Sequence, residues 1–321
     1  MLRRFSSIFL LLFLLVLPLT AQAVDALVPV GTLVGLEIRS GTVTVAAFDD
    51  RYGAGAKAAG LRIGDRISSV NGIPITQAEE VSQALEIGTG TAEIKILRGS
   101  RPVTLHMVPC REGERQILGV YLRQGLTGIG TVTWYDPQSG TFGALGHGVS
   151  TAKDCLLPLK SGNIYSAAVV SAQKGKSGQP GLLKGKALSE TPIGSITRNT
   201  PQGILGHSST GFPGRALPVG DWDSLRTGSA VILTTVQDGP PREYSVEILK
   251  IYPKDRQTGR NFLLKVTDPD LIAATGGIVQ GMSGSPILQD GKLIGAVTHV
   301  LVNDPTSGYG IFIENMLEAA G

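Results

Sequence analysis

Apolar and polar residues alternate in short runs along most of this 321-residue chain, and Gly, Pro, Asn or Asp breaks each run. A period of two puts every second side chain on one face, as in a half-buried strand. Strands are predicted at 118–122, 130–135, 167–172, 193–197, 230–236, 244–251 and 262–266, with another at 102–109. So many short strands without helical stretches between them argue for a barrel or sandwich over βαβ units. Helical spacing is confined to 77–86, with Ala78, Val81 and Leu85 on one face, to 270–274 and to a closing segment at 313–320. The expected fold class is mainly β.

Composition sharpens this picture. The 43 glycines and a charged fraction of 17% suit tightly turning β-structure. The chain is about two domain lengths. Arg3 and Arg4 precede an apolar run from Ile8 to Leu17 and then Ala21-Gln22-Ala23, the pattern of an export signal at 1–23, with an uncleaved membrane anchor as the alternative. Either way the folded part is expected outside the cytoplasm. Losing 1–23 removes two of the 29 basic side chains and leaves 27 against 26 acidic ones, with no basic run, so nucleic acid is not an expected partner. Cys110 and Cys155 match neither a metal motif nor a disulfide framework. The run Lys174-Gly175-Lys176-Ser177 lacks the leading glycine of a phosphate loop, because Val170 stands there. No cofactor or metal is expected, and nothing in the sequence sets an oligomeric state.

The chemistry concentrates near the C-terminus. Gly281-Met282-Ser283-Gly284-Ser285-Pro286 leads into the hairpin 287–289 and 292–298 around Asp290-Gly291. A Gly-x-Ser-Gly turn lets backbone N–H groups, here of Gly281 and Ser283, converge beside the hydroxyl where an oxyanion would sit. A serine hydroxyl needs a histidine base, which in turn needs an orienting partner. Of four histidines, His106 lies in a strand pattern, His207 in a polar loop, and His299 follows the apolar strand after the serine turn. His147, in Gly143-Ala144-Leu145-Gly146-His147-Gly148, has small neighbours that leave its ring unobstructed and is the expected base. Asp268, in Thr267-Asp268-Pro269, is the candidate third member. A helix-cap role competes with that assignment, and Asp136, Asp154 and Asp270 remain rivals.

The order His147, Asp268, Ser283 resembles that of chymotrypsin-like serine peptidases, which are built from two β-barrels. More closely, Gly143 to His147, Arg198-Asn199-Thr200-Pro201, Thr275 to Pro286, Gly295-Ala296-Val297-Thr298-His299 and Asn303 to Gly310 resemble the SpoIVB sporulation peptidases of endospore-forming bacteria. The resemblance implies a catalytic set of His147, Asp268 and Ser283. It also implies a biological role, that of cutting a membrane-bound regulator, in the space between forespore and mother-cell membranes, so that an intramembrane protease can process a pro-sigma factor. Met282 stands where trypsin-like enzymes carry Asp, and Gly148 stands where the relatives carry a larger residue.

Leu33-Val34-Gly35-Leu36, Ala58-Ala59-Gly60-Leu61, Ile63-Gly64-Asp65-Arg66-Ile67 and Val70-Asn71-Gly72 resemble a PDZ domain. Val34, Gly35 and Leu36 are the expected peptide-carboxylate loop, with the following strand as the edge for β-augmentation and 77–86 as the groove helix. The expected division is 27–110 PDZ, 111–117 linker and 118–321 peptidase, with a protein substrate at a membrane surface and peptide C-termini as partners. Two other readings are a PDZ adaptor without turnover and a quality-control protease, in which the peptidase would precede the PDZ.

Overall fold

The computed structural model describes residues 25–151, 155–253 and 259–321; the expected export segment and Asp154 lie outside them. The chain opens with β1 (Ala26–Pro29) and a long β2 (Leu33–Phe48). Then follow α1 (Ala54–Ala58), β3 (Arg66–Val70), β4 (Ile73–Pro74), α2 (Glu79–Glu86), β5 (Ala92–Arg98), β6 (Arg101–Met107), β7 (Cys110–Glu112) and β8 (Arg115–Ile117). A second long strand, β9 (Val120–Tyr135), leads to β10 (Thr141–Ala144), β11 (Ser161–Gln173), β12 (Leu182–Ala187), β13 (Gly194–Thr200), β14 (Gly203–Ser208) and β15 (Leu217–Pro218). The last third holds β16 (Gly228–Thr234), β17 (Arg242–Ile251), β18 (Phe262–Val266), α3 (Pro269–Thr275), β19 (Pro286–Gln289), β20 (Lys292–Leu301), β21 (Asp304–Phe312) and α4 (Ile313–Ala320).

Two six-stranded barrels result. In the first, β2, β9, β10, β14, β13 and β11 pair in that order, and β11 returns to β2 to close the ring. Its interior holds Val34, Leu36, Ile38, Val132, Phe142, Ile164, Ile196 and Ile204. The second closes in the order β16, β17, β18, β21, β20, β19. Alternation is strict here: Tyr244, Val246 and Ile248 point inward from β17, while Glu243, Ser245 and Glu247 are exposed. Closure leaves neither barrel an unpaired edge.

The small domain is nested rather than prefixed. β2 runs as a barrel strand from Leu33 to Arg39 and then, beyond a register shift, pairs from Thr44 to Phe48 with the opening residues of β9. Between these two strands hangs a separate core of Val43, Val45, Leu61, Ile67, Val81, Leu85, Ile94, Ile96 and Leu118. The expected boundaries 27–110 and 118–321 therefore shift: β1 and the first half of β2 belong to the barrel, and Leu118 and Val120 to Arg123 belong to the inserted unit. The expected linker 111–117 is mostly the β7/β8 hairpin.

Candidate active site

The nucleophile turn is shaped by where its carbonyls go. A trans peptide points its C=O and N–H in opposite directions. The Gln280 carbonyl accepts from Leu183 N–H (2.8 Å), which turns Gly281 N–H the other way. The Met282 carbonyl accepts from Ser285, both from N–H (3.0 Å) and from Oγ (2.7 Å), which does the same for Ser283 N–H. Among the described residues neither Gly281 nor Ser283 N–H has a protein acceptor, and both residues line one cavity of about 540 Å³. Gly281 adopts φ +102°, a region closed to side chains, and the Met282 side chain is fully buried in the second barrel.

The base turn faces it. β10 ends at Ala144, whose carbonyl accepts from Gly146 N–H (2.9 Å) around Leu145 at φ +69°. Such a γ-turn is strained for a leucine, at a cost of about 1–3 kcal/mol. Packing holds it: the Leu145 side chain fills the space beside Gly130, where a Cβ would come within 2.2 Å of Leu145 Cδ2. His147 then enters the same cavity as Ser283, which Thr298 and His299 also line. Gly148 is tightly enclosed, since a Cβ there would lie 2.2 Å from Leu156 Cδ2 and 2.6 Å from the Thr200 carbonyl. The small residue after the base thus fits a close backbone approach.

His147 Nδ1 lies 3.0 Å from the Gly148 carbonyl. A carbonyl only accepts, so Nδ1 carries the proton and Nε2 keeps the lone pair a general base needs. Burial pushes the His147 pKa below its ordinary value, opposed by that carbonyl. His299, whose ring centroid is 5.4 Å from that of His147, falls to about 4 through burial, then the charges of His147 and Arg260. Ser283 Oγ donates to the Thr298 carbonyl at 2.8 Å, an acceptor freed by the register shift between Val297 and His299.

Asp268 is not beside His147. Its Oδ1 accepts from Asp270 N–H (3.0 Å) and Leu271 N–H (3.1 Å), and its Oδ2 from Ser245 N–H (3.2 Å), capping α3 ahead of Pro269. Gly259, which packs on the Gly146 carbonyl, precedes β18, and Asp268 follows it, so roughly 13 Å of strand separates the two ends. The cap competitor foreseen for this residue is the role the geometry gives it, and the Gly148 carbonyl occupies the carboxylate's place. Among the rivals, Asp136 accepts from Gln138 N–H and Ser139 Oγ in the loop after β9. Asp270 sits in the first turn of α3. His106 and His207 are exposed strand residues outside the cavity.

The expected carboxylate loop also moves. Val34, Gly35 and Leu36 pair with β11 on one side and β9 on the other, so their strand has no free edge. In its place the inserted unit offers Leu118 and Gly119, whose N–H groups have no acceptor among the described residues, followed by Val120 to Arg123 paired only with β2. α2 runs antiparallel along this segment, pinned at both ends: Ala78 N–H donates to Gln124 Oε1 (2.8 Å) and Gln116 N–H to Glu86 Oε1 (2.6 Å). A Leu-Gly-Val triplet is the same signal as Val-Gly-Leu, and only the nesting shows which one borders the helix. Cys110 and Cys155 are both free thiols.

The sequence profile of the SpoIVB peptidase S55 family matches residues 114–317, and a PDZ domain profile matches 53–97. No curated protein matches the chain. Among solved structures, the inactive form of the Rv3671c protease of M. tuberculosis is 14% identical over 59% of this chain and 81% of that one, with a TM-score of 0.36. Its active form is 14% identical over 60% and 72%, with a TM-score of 0.38.

Proposed function

Because the chain belongs to the SpoIVB peptidase S55 family and is a serine peptidase with an inserted PDZ domain, we propose that it cuts polypeptides with Ser283 as nucleophile and His147 as base. The observation that carries this reading is one cavity lined by Ser283, His147 and two unengaged amide donors. The Ser283 hydroxyl leaves the Thr298 carbonyl and turns to His147 Nε2, which takes its proton as Oγ attacks the peptide carbonyl. The oxyanion is received by Gly281 and Ser283 N–H, and the imidazolium returns the proton to the leaving amine. The Gly148 carbonyl steadies the ring throughout.

Among the described residues the cavity walls carry Leu36, Ile38, Leu126, Ile278, Val279 and Val300 and no Asp, Glu, Lys or Arg, a lining that suits an apolar residue before the scissile bond. A more open groove of about 790 Å³ shares the wall Leu36, Thr127, Gly128 and Ile129 and continues past Glu37 and Tyr165, room for an extended polypeptide. Family membership supports a role in sporulation, the release of a pro-sigma factor through cleavage of a membrane-bound regulator, by an enzyme exported across the cytoplasmic membrane. The PDZ loop at Leu118 and Gly119 suits a peptide C-terminus. Purified protein should cleave peptides with a central apolar residue, and Ser283→Ala should cleave none; in sporulating cells the same variant should leave the pro-sigma factor unprocessed. Full cleavage by Ser283→Ala overturns the assignment. The adaptor reading is favoured by one observation, the Ser283 hydroxyl engaged by Thr298, and capture of such peptides without cleavage would select it.

A further inference from the structure

Thr131 joins the two halves of the site. This β9 residue is fully buried. Its N–H donates to the Ser283 carbonyl (3.1 Å), its Oγ1 donates to the Gly281 carbonyl (2.9 Å), and its own carbonyl accepts from Leu145 N–H (3.1 Å). The nucleophile turn and the base turn come from different barrels, and one residue bonds both. The fit is close on either side: a Cβ on Gly284 would stand 2.1 Å from the Thr131 carbonyl and 2.5 Å from Leu145 N. The backbone bonds would form with any residue here, so the side-chain question is the hydroxyl. Two residues on, Thr133 is equally buried and its hydroxyl has no partner among the described residues, so this strand does not require its hydroxyls to be satisfied. Thr131 Oγ1 reaches across to the residue whose N–H is one of the two oxyanion donors.

We infer that Thr131 is a positioning residue for the reaction of Ser283, its hydroxyl holding the oxyanion turn in register with the base turn. It touches neither substrate nor imidazole. By fixing the Gly281 carbonyl it orients the peptide plane between Gly281 and Met282, and with it the turn that presents both donors. The inference rests on the serine-peptidase reading of the site.

The test follows phosphonylation of Ser283 in the full-length protein by a fluorophosphonate probe at several concentrations, separating kinact from KI, with the site identified by mass spectrometry. Thr131→Val should lower kinact about 10- to 100-fold, the range expected for misplaced reacting groups, while KI stays at the wild-type value. Thr131→Ser, which keeps the hydroxyl, should react at close to the wild-type rate. A Thr131→Val protein with wild-type kinact overturns the inference, as does a Thr131→Ser protein as slow as Thr131→Val, which would show that keeping the hydroxyl does not keep the rate. Should Thr131→Val fail to fold by circular dichroism, Thr131→Ala takes its place with the same readings. The two levels separate cleanly: wild type labelled at Ser283 with an unaffected Thr131→Val sinks only the positioning role, whereas wild type unlabelled at Ser283 sinks the peptidase reading.

Discussion

At the scale of single residues, the chemistry turns on which group steadies His147. Asp268 spends both carboxylate oxygens on backbone N–H groups of α3 and Ser245, so Asp268→Ala should cost about 1 kcal/mol of stability, as helix caps do. Its activity, measured below its unfolding temperature, should stay near that of wild type. A loss approaching 10⁴-fold in a folded protein would instead mark a carboxylate orienting the base. The buried imidazoles make a second prediction. Both His147 and His299 have pKa values lowered by burial, so the folded protein resists protons that the unfolded chain accepts below about 6.5. The unfolding midpoint should therefore fall as pH drops from about 6.5 toward the His299 value of about 4. The acid limb of kcat/KM should lie below the ordinary histidine value, because the base stays neutral there. An acid limb above that value would contradict the burial of His147.

At the scale of elements, turn geometry decides whether a side chain reaches the site. Gly148→Ala places a Cβ against the Thr200 carbonyl, which cannot yield as a side chain would, and should push His147 out of line for about a 100-fold loss in kcat. Wild-type kcat in that variant would show the base turn to be loose. Elements of this kind are legible in the sequence where local pattern decides them. β18 and α4 fall at the predicted residues, and the serine hairpin falls within a few, because alternation and the Asp290-Gly291 turn fix them locally. The length of β9 is not legible: 118–122 and 130–135 read as two strands, since Gly125, Gly128 and Gly130 interrupt the alternation between them. Those glycines are long-range features. Gly125 lies against the Ile38 carbonyl and Gly130 against Leu145, contacts that no local period encodes. Thr131 is hidden for the same reason, as a strand threonine whose partners are 14 and more than 100 positions away.

At the scale of the whole molecule, the nesting of the PDZ unit changes what that unit can do. A domain joined by a linker would move independently, but this one hangs on two strands that continue into the first barrel. β9 begins at the open edge beside α2 and meets the nucleophile turn at Thr131. The crossing is narrow: Gly41 adopts φ +67°, and a Cβ on Gly125 would stand 2.0 Å from the Ile38 carbonyl. Gly125→Ala should destabilise the protein by about 1–3 kcal/mol through overpacking, read as a lower midpoint in denaturant. An unchanged midpoint would show the crossing to be pliable. Domain order illustrates what linear reading misses. The PDZ motif sits before the peptidase motifs in sequence, yet the first barrel strand precedes both, and β-pairing across that insertion is invisible to any local window.

The central claim is that Ser283 is activated by His147 inside one cavity. Mass-spectrometric mapping of a fluorophosphonate adduct on wild type and on His147→Ala tests it most directly. The expected result is a single adduct on Ser283 in wild type and none on His147→Ala; an adduct elsewhere, or equal labelling of Ser283 in both proteins, would contradict it.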